Sequence, residues 1–243
     1  SDHLYDRFSG IVGITFFCLC ICMSCYLFGQ PQVKKETLEK LNKTSRLPAY
    51  RCDSVLTKKI NKNRGEGGYR LQGVRNLRPV LPGLLYRSGG NNLYHPLVSR
   101  HNYSPLSFHT LLNLWEMGFN EVVYLYKTRY DSLYNGDLGE YLKQVGIQYS
   151  AIVPIREKAT YSILKKIHSA ALQNGSGYVL VHCWNGWHMS GLISAYALMQ
   201  FCGFDDEKAW QYWKMGTDGN YMGYEKLRDR IRSFRRYPDL ILS

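Results

Sequence analysis

The residues best suited to chemistry lie together in VHCWNGWHMSG, residues 181–191. Cys183 closes an apolar run, and Gly186 and Gly191 follow three and eight positions later. A loop that feeds a helix N-terminus turns backbone N–H groups toward one spot, and the helix dipole makes that spot favourable for an anion. Gly186 and Gly191 permit tight curvature and close approach. The same field favours the thiolate of Cys183, the form that attacks phosphorus. His182 can tune that thiolate through its hydrogen bonds, and Ser190 can donate its hydroxyl to the sulfur as it leaves. Trp184, Asn185, Gly186, Trp187, His188, Met189 and Gly191 are the candidates for contact with the anion. The two tryptophans either pack beneath the loop or wall a site for a ring-bearing or sugar-bearing ligand.

Alternating elements must position this loop. LPGLLYRSGG (81–90) predicts a short strand between a Pro-Gly turn and a Gly-Gly break. SPLSFHTLLNLWEMGF (104–119) predicts a helix, with Ser104-Pro105 as N-cap and first residue. EVVYLY (121–126) reads as a strand, GDLGEYLKQVG (136–146) as a helix, IQYSAIVPI (147–155) as a strand and YSILKKIHSAALQNG (161–175) as an amphipathic helix. YVLVHC (178–183) is a buried strand, SGLISAYALMQFCG (190–203) an apolar helix, and two further helices complete the chain. Such alternation predicts an α/β domain: a central, mainly parallel sheet flanked by helices. Ligands of such sheets bind at the carboxyl ends of the strands, where VHCWNGWHMSG lies.

H-C-x-x-G-x-x-x-S-G after a buried strand resembles the signature of cysteine-dependent protein tyrosine and dual-specificity phosphatases. NLRPVLPGLLYRSGG (76–90) looks like the N-terminal segment N-x-R-x-x-x-x-x-P-G-x-x-Y-R-S of the compact members. LWEMGFNEVVYLY (114–126) is similar to their helix followed by G-[IF]-x-x-V-[IV]-x-L, and GIQYSAIVPI (146–155) to the strand before their general-acid loop. The resemblance runs from about Asn76 to Phe234. It implies the cysteine phosphatase fold, a Cys183 phosphocysteine intermediate and no cofactor or metal. One position departs from the family pattern C-x(5)-R, because Met189 stands where the arginine belongs. That arginine grips two phosphate oxygens, and loss of such a clamp costs about 3 kcal/mol, a hundredfold or more in rate. His188, or Arg156 or Lys158 from across the cleft, are the candidates to replace its charge. The resemblance puts an aspartate after Ile155, where this chain has Arg156, Glu157 and Lys158. Glu157 is therefore the candidate general acid, with Asp131 as the fallback.

The chain has 243 residues and a formal net charge of +12, a balance that suits anionic partners. Basic residues gather at Lys34, Lys35, Lys40, Lys43 and Arg46, and in RDRIRSFRR near the C-terminus. Neither cluster carries a nucleic-acid motif, so no nucleic-acid partner is expected. Cys52, Cys183 and Cys202, the three cysteines beyond residue 28, show neither a disulfide framework nor zinc spacing. Cys202 is expected to be an ordinary core cysteine, and a reducing compartment fits this pattern.

IVGITFFCLCICMSCYLF (11–28) contains no charge. As a helix it would measure about 27 Å, close to the hydrocarbon thickness, and it is read as a membrane anchor. Residues 1–10 form its N-terminal flank, 29–68 a polar basic tether, and 69–243 the phosphatase-like domain. The basic residues after the apolar run place that domain in the cytoplasm by the positive-inside rule. The expected function is a membrane-anchored cysteine phosphatase-like protein that binds a phosphorylated protein or phospholipid and is catalytically impaired. An active phosphatase and a non-binding scaffold are the alternatives.

Overall fold

The computed structural model describes residues 52, 58–61, 73–90, 105–127, 137–173 and 177–242, with Asp137 and Leu138 described for backbone alone. The apolar run 11–28, most of the tether and Asp131 lie outside the described residues. No helix among the described residues is long and apolar enough to cross a membrane.

The strands are β1 (Val74–Leu81), β2 (Leu85–Gly90), β3 (Phe119–Tyr124), β4 (Gln148–Ala151) and β5 (Tyr178–Cys183). They form one sheet in the order β1-β2-β5-β3-β4. β2, β5, β3 and β4 run parallel, while β1 pairs antiparallel with β2 at the edge, so the sheet is mixed. The strand at 74–81 was not expected from the sequence: its run VRNLRPVL carries two arginines and an asparagine. Five of those eight residues are nonetheless apolar or proline, and the last six positions are buried.

The helices are α1 (Phe108–Glu116), α2 (Asp137–Val145), α3 (Glu157–Leu172), α4 (His188–Cys202), α5 (Asp206–Met215) and α6 (Glu225–Ser233). Successive strand residues face opposite layers, as the two-residue period of a strand requires. Val179 and Val181 join the larger core cluster with α3 and α4, whereas Leu180 joins the smaller one with α1. The same alternation splits Val122 and Val123 of β3. Burial on both faces explains why these strands read as unbroken apolar runs. α4 is buried from Ser190 to Gln200 and ends on Gly203, whose φ of 68° closes the helix.

Cys202 is not an ordinary core cysteine. It is disulfide-bonded to Cys52, with the two Cα atoms 5.4 Å apart and 150 residues between them in sequence. No spacing pattern reveals such a bond, because it joins a tether residue to the far end of a core helix. The tether segment is also stitched to β1. Ile60 N–H donates to the Leu77 carbonyl, and Asn61 bonds both Leu77 N–H and the Val74 carbonyl.

Candidate functional site

β5 ends at Cys183 and α4 begins at His188, leaving Trp184 to Trp187 as the connecting loop. The loop lies directly on the end of β2. A Cβ on Gly186, whose φ is 76°, would meet the Gly89 nitrogen at 2.4 Å, and one on Gly89 would meet Asn185 backbone at 2.5 Å. Glycine is required at both positions for the two backbones to approach.

The surrounding scaffold holds five successive loop carbonyls. The Cys183 carbonyl accepts from His182 Nδ1 at 3.4 Å, Trp184 from Gly90 N–H at 3.1 Å, and Asn185 from Asn76 Nδ2 at 2.6 Å. Arg87 Nη2 then donates to the Gly186 carbonyl at 2.8 Å and the Trp187 carbonyl at 2.9 Å. In a planar trans peptide, C=O and the next N–H point in opposite directions. Pulling these oxygens outward therefore turns the N–H groups of Trp184, Asn185, Gly186, Trp187 and His188 into the loop. Convergent backbone amides form an anion-binding nest. The first turn of α4 extends it, since the helix has no side-chain N-cap and no acidic residue there.

His182 is fully buried, stacked on Tyr124 with ring centroids 4.4 Å apart, and its pKa is pushed down to about 3 by burial. The ring is therefore neutral. A carbonyl can only accept, so the hydrogen-bond network assigns the proton to Nδ1, facing Cys183 O. Nε2 accepts from the Tyr149 hydroxyl at 3.0 Å, whose oxygen accepts from Leu106 N–H. His182 thus holds loop backbone and carries no charge to the sulfur.

Cys183 is buried and its Sγ lies 3.4 Å from Ser190 Oγ, the pairing expected for a nucleophile and its hydroxyl support. Gly191 packs against Trp213, whose indole N–H donates to the His188 carbonyl at 3.0 Å. Met189 is partly buried and packs against the larger core cluster. His188 Nε2 donates to the Asn220 carbonyl at 2.7 Å, and its ring stacks on Tyr224 at 3.8 Å. Burial lowers its pKa, and the nearby Arg87 charge adds to the shift. His188 is accordingly a neutral, tethered ring and a poor substitute for a cation.

Trp187 lies against the α5–α6 connection, its indole N–H donating to Asp218 Oδ2 at 2.9 Å. The same carboxylate accepts from Lys59 at 2.6 Å and faces Arg78 at 3.7 Å. Burial would raise the Asp218 pKa, but the Lys59 and Trp187 hydrogen bonds and the Lys59 and Arg78 charges outweigh it and hold the carboxyl below its usual value. Trp184 is half-buried on the loop.

Glu157 opens α3, exposed, and lines a cavity of about 330 Å³ with Thr160, Tyr196, Arg230 and Tyr237. Arg156 and Lys158 are exposed beside it, and the Arg156 carbonyl accepts from Ala159 and Thr160 N–H. The sequence reading gave no role to Asn76, Arg78, Arg87, Lys59 or Asp218. Asn76, Arg78 and Arg87 fall in the segment that carries the family resemblance, which was the only signal available for them. No metal-binding cluster occurs among the described residues.

No family model matches the chain, and no curated protein does. Solved structures similar to it include P. aeruginosa TpbA, at 18% identity over 64% of this chain and 88% of that one, with a TM-score of 0.41. A putative phosphatase (DUF442) from Shewanella putrefaciens CN-32 is 17% identical over 69% and 98%, with a TM-score of 0.43. Tk-PTP in its active form is 16% identical over 65% and 97%, with a TM-score of 0.44. The functional reading rests on the loop geometry.

Proposed function

We propose that this chain is a cysteine phosphatase-like protein whose loop 183–191 binds a phosphorylated or other anionic ligand and is impaired in turning it over. The observation that carries the reading is the row of five outward-held carbonyls from Cys183 to Trp187. A scaffold without a ligand has no use for a loop turned inside out in this way. Impairment follows from the same place. The position that should grip the transferring phosphoryl group is Met189, packed on the core, and its neighbour His188 is neutral and tied to Asn220. Glu157 lines a cavity with Thr160, Tyr196, Arg230 and Tyr237, none of them a residue of the loop.

The intact Cys183–Ser190 pair favours the second reading, an active enzyme using a phosphocysteine intermediate. Hydrolysis of a small aryl phosphate by the full chain and its Cys183→Ser variant separates the two. Impairment predicts that both stay near the uncatalysed rate. Turnover by the parent that vanishes in Cys183→Ser establishes the active enzyme instead.

The ligand class in this reading is a phosphorylated protein or phospholipid, and residues 11–28 are the membrane anchor. The Cys52–Cys202 bond suits an oxidising compartment, which supports an extracytoplasmic domain in this reading. The flanking charges argue the reverse, but a long C-terminal domain can cross despite such a bias.

A further inference from the structure

Arg78 and Arg87 are cross-strand partners on β1 and β2, and both are essentially fully buried. Arg87 spends Nη2 on the two loop carbonyls and on the Gly216 carbonyl at 3.2 Å, while its Nε and Nη1 have no hydrogen-bond partner among the described residues. Gly191 and Gly216 make room for this guanidinium: a Cβ on Gly216 would meet Nη1 at 2.5 Å, and one on Gly191 would meet Nη2 at 3.1 Å. Among the described residues Arg78 faces one acid, Asp218, which Lys59 holds more closely. One carboxylate is therefore shared by two cations, and the partners of Arg87 among the described residues are three carbonyl dipoles and the face of the Tyr212 ring. Burial and the adjacent Arg87 lower the Arg78 pKa to about 10, so the Arg78 guanidinium stays charged at neutral pH. A buried cation without a counter-charge is expensive. An anion inside the loop, one peptide layer from Arg87, supplies what the scaffold lacks.

Granting the anion-binding reading above, we propose that the buried Arg78–Arg87 pair selects tetrahedral dianions, as in a phosphate monoester, over monoanions of the same shape. The two arginines are positioning residues: they act through the loop peptides and through their field, and neither touches the ligand. A charge behind the loop acts on ground state and transition state alike, so it tightens binding without raising turnover. That is the division of labour expected once the in-loop arginine is gone.

Sulfate and perchlorate are tetrahedral anions of similar shape that differ in charge, and calorimetric titration of the full chain with each at pH 7.5 reads the selectivity. The parent should prefer sulfate by about tenfold or more. Arg78→Met should lower that ratio severalfold, Arg78→Lys should keep it, and Asp218→Asn, which removes the shared negative charge, should raise it. A purely structural role would weaken both anions together and leave the ratio unchanged in every variant, which overturns the proposal. If Arg78→Met does not fold, Asp218→Asn decides: a ratio that stays flat or falls is equally fatal. A parent that binds neither sulfate, perchlorate nor inorganic phosphate removes the anion-binding reading itself.

Discussion

Asn76 Nδ2 donates to the Asn185 carbonyl at 2.6 Å, across 109 residues of sequence, from a backbone with φ of 53°. Asparagine tolerates this left-handed conformation better than most residues. It bends β1 at an irregular register and in the same step holds the centre of the loop. Asn76→Gly keeps the backbone free to adopt the angle and removes the hydrogen bond, and should weaken phosphate binding about tenfold. Asn76→Ala should lose the same affinity and about 1 kcal/mol more stability from backbone strain. Calorimetry with inorganic phosphate and urea unfolding separate the two effects; undiminished affinity in Asn76→Gly would show the bond to be irrelevant to the loop.

Met189→Arg tests the proposed impairment. Placing a guanidinium there should raise aryl phosphate hydrolysis about a hundredfold over the parent. It should also cost about 1 kcal/mol or more of stability, because the methionine packs on the core. No gain in rate from a folded variant would mean that the arginine is not what the site lacks.

Gly216→Ala addresses Arg87 from the other side. Its φ of −80° is ordinary, so the substitution strains nothing except the space held by Nη1 at 2.5 Å. A shifted guanidinium should release the Gly186 and Trp187 carbonyls, reducing phosphate affinity and costing about 1–3 kcal/mol. Equal affinity and stability would show that Arg87 does not hold the loop.

Acid sensitivity should come from His182. Its folded pKa of about 3 lies below the ordinary 6.5, so the unfolded chain takes up a proton that the folded chain refuses. Stability is then complete above about pH 6.5 and falls toward pH 3, by about 1.4 kcal/mol per unit at most. His188, also depressed, adds to the same acid limb. Urea midpoints from pH 7 to pH 4 should fall less steeply in His182→Asn, whose amide can replace the Nδ1 donor. Parallel curves for parent and variant would assign the acid limb to other groups.

The disulfide has a direct chemical readout. Peptide mapping without reductant should recover Cys52 joined to Cys202, with Cys183 left as a thiol. Reduction should lower stability by about 2–5 kcal/mol. Quantitative alkylation of Cys52 in the native chain would exclude the bond and, with it, the argument for an oxidising compartment.

Much of this architecture was legible in the sequence because burial on two faces writes itself as unbroken apolar runs. YVLVHC is β5 itself, while the strand read at 121–126 spans Phe119–Tyr124 and the apolar helix read at 190–203 spans His188–Cys202. β1 was not legible, since a strand that carries Asn76, Arg78 and an edge pairing breaks the apolar pattern. Cys183, Ser190 and the loop could be read from type and spacing, because their chemistry is local. The residues that shape the loop could not. Arg87 and Asn76 act on carbonyls about a hundred residues away, and an asparagine or arginine in a strand has no pattern that announces a backbone partner. Glu157 follows the strand after which a general acid was expected, and it opens α3 and lines the cavity with Arg230 and Tyr237.

The central claim is that an inside-out loop around Cys183 binds phosphate, and titration of the full chain with inorganic phosphate tests it most directly. The account predicts saturable binding to one site, weakened about tenfold in Arg87→Met and competed by a small aryl phosphate that is recovered unhydrolysed. Absence of saturable binding in the folded parent, or binding that Arg87→Met leaves untouched, would contradict it.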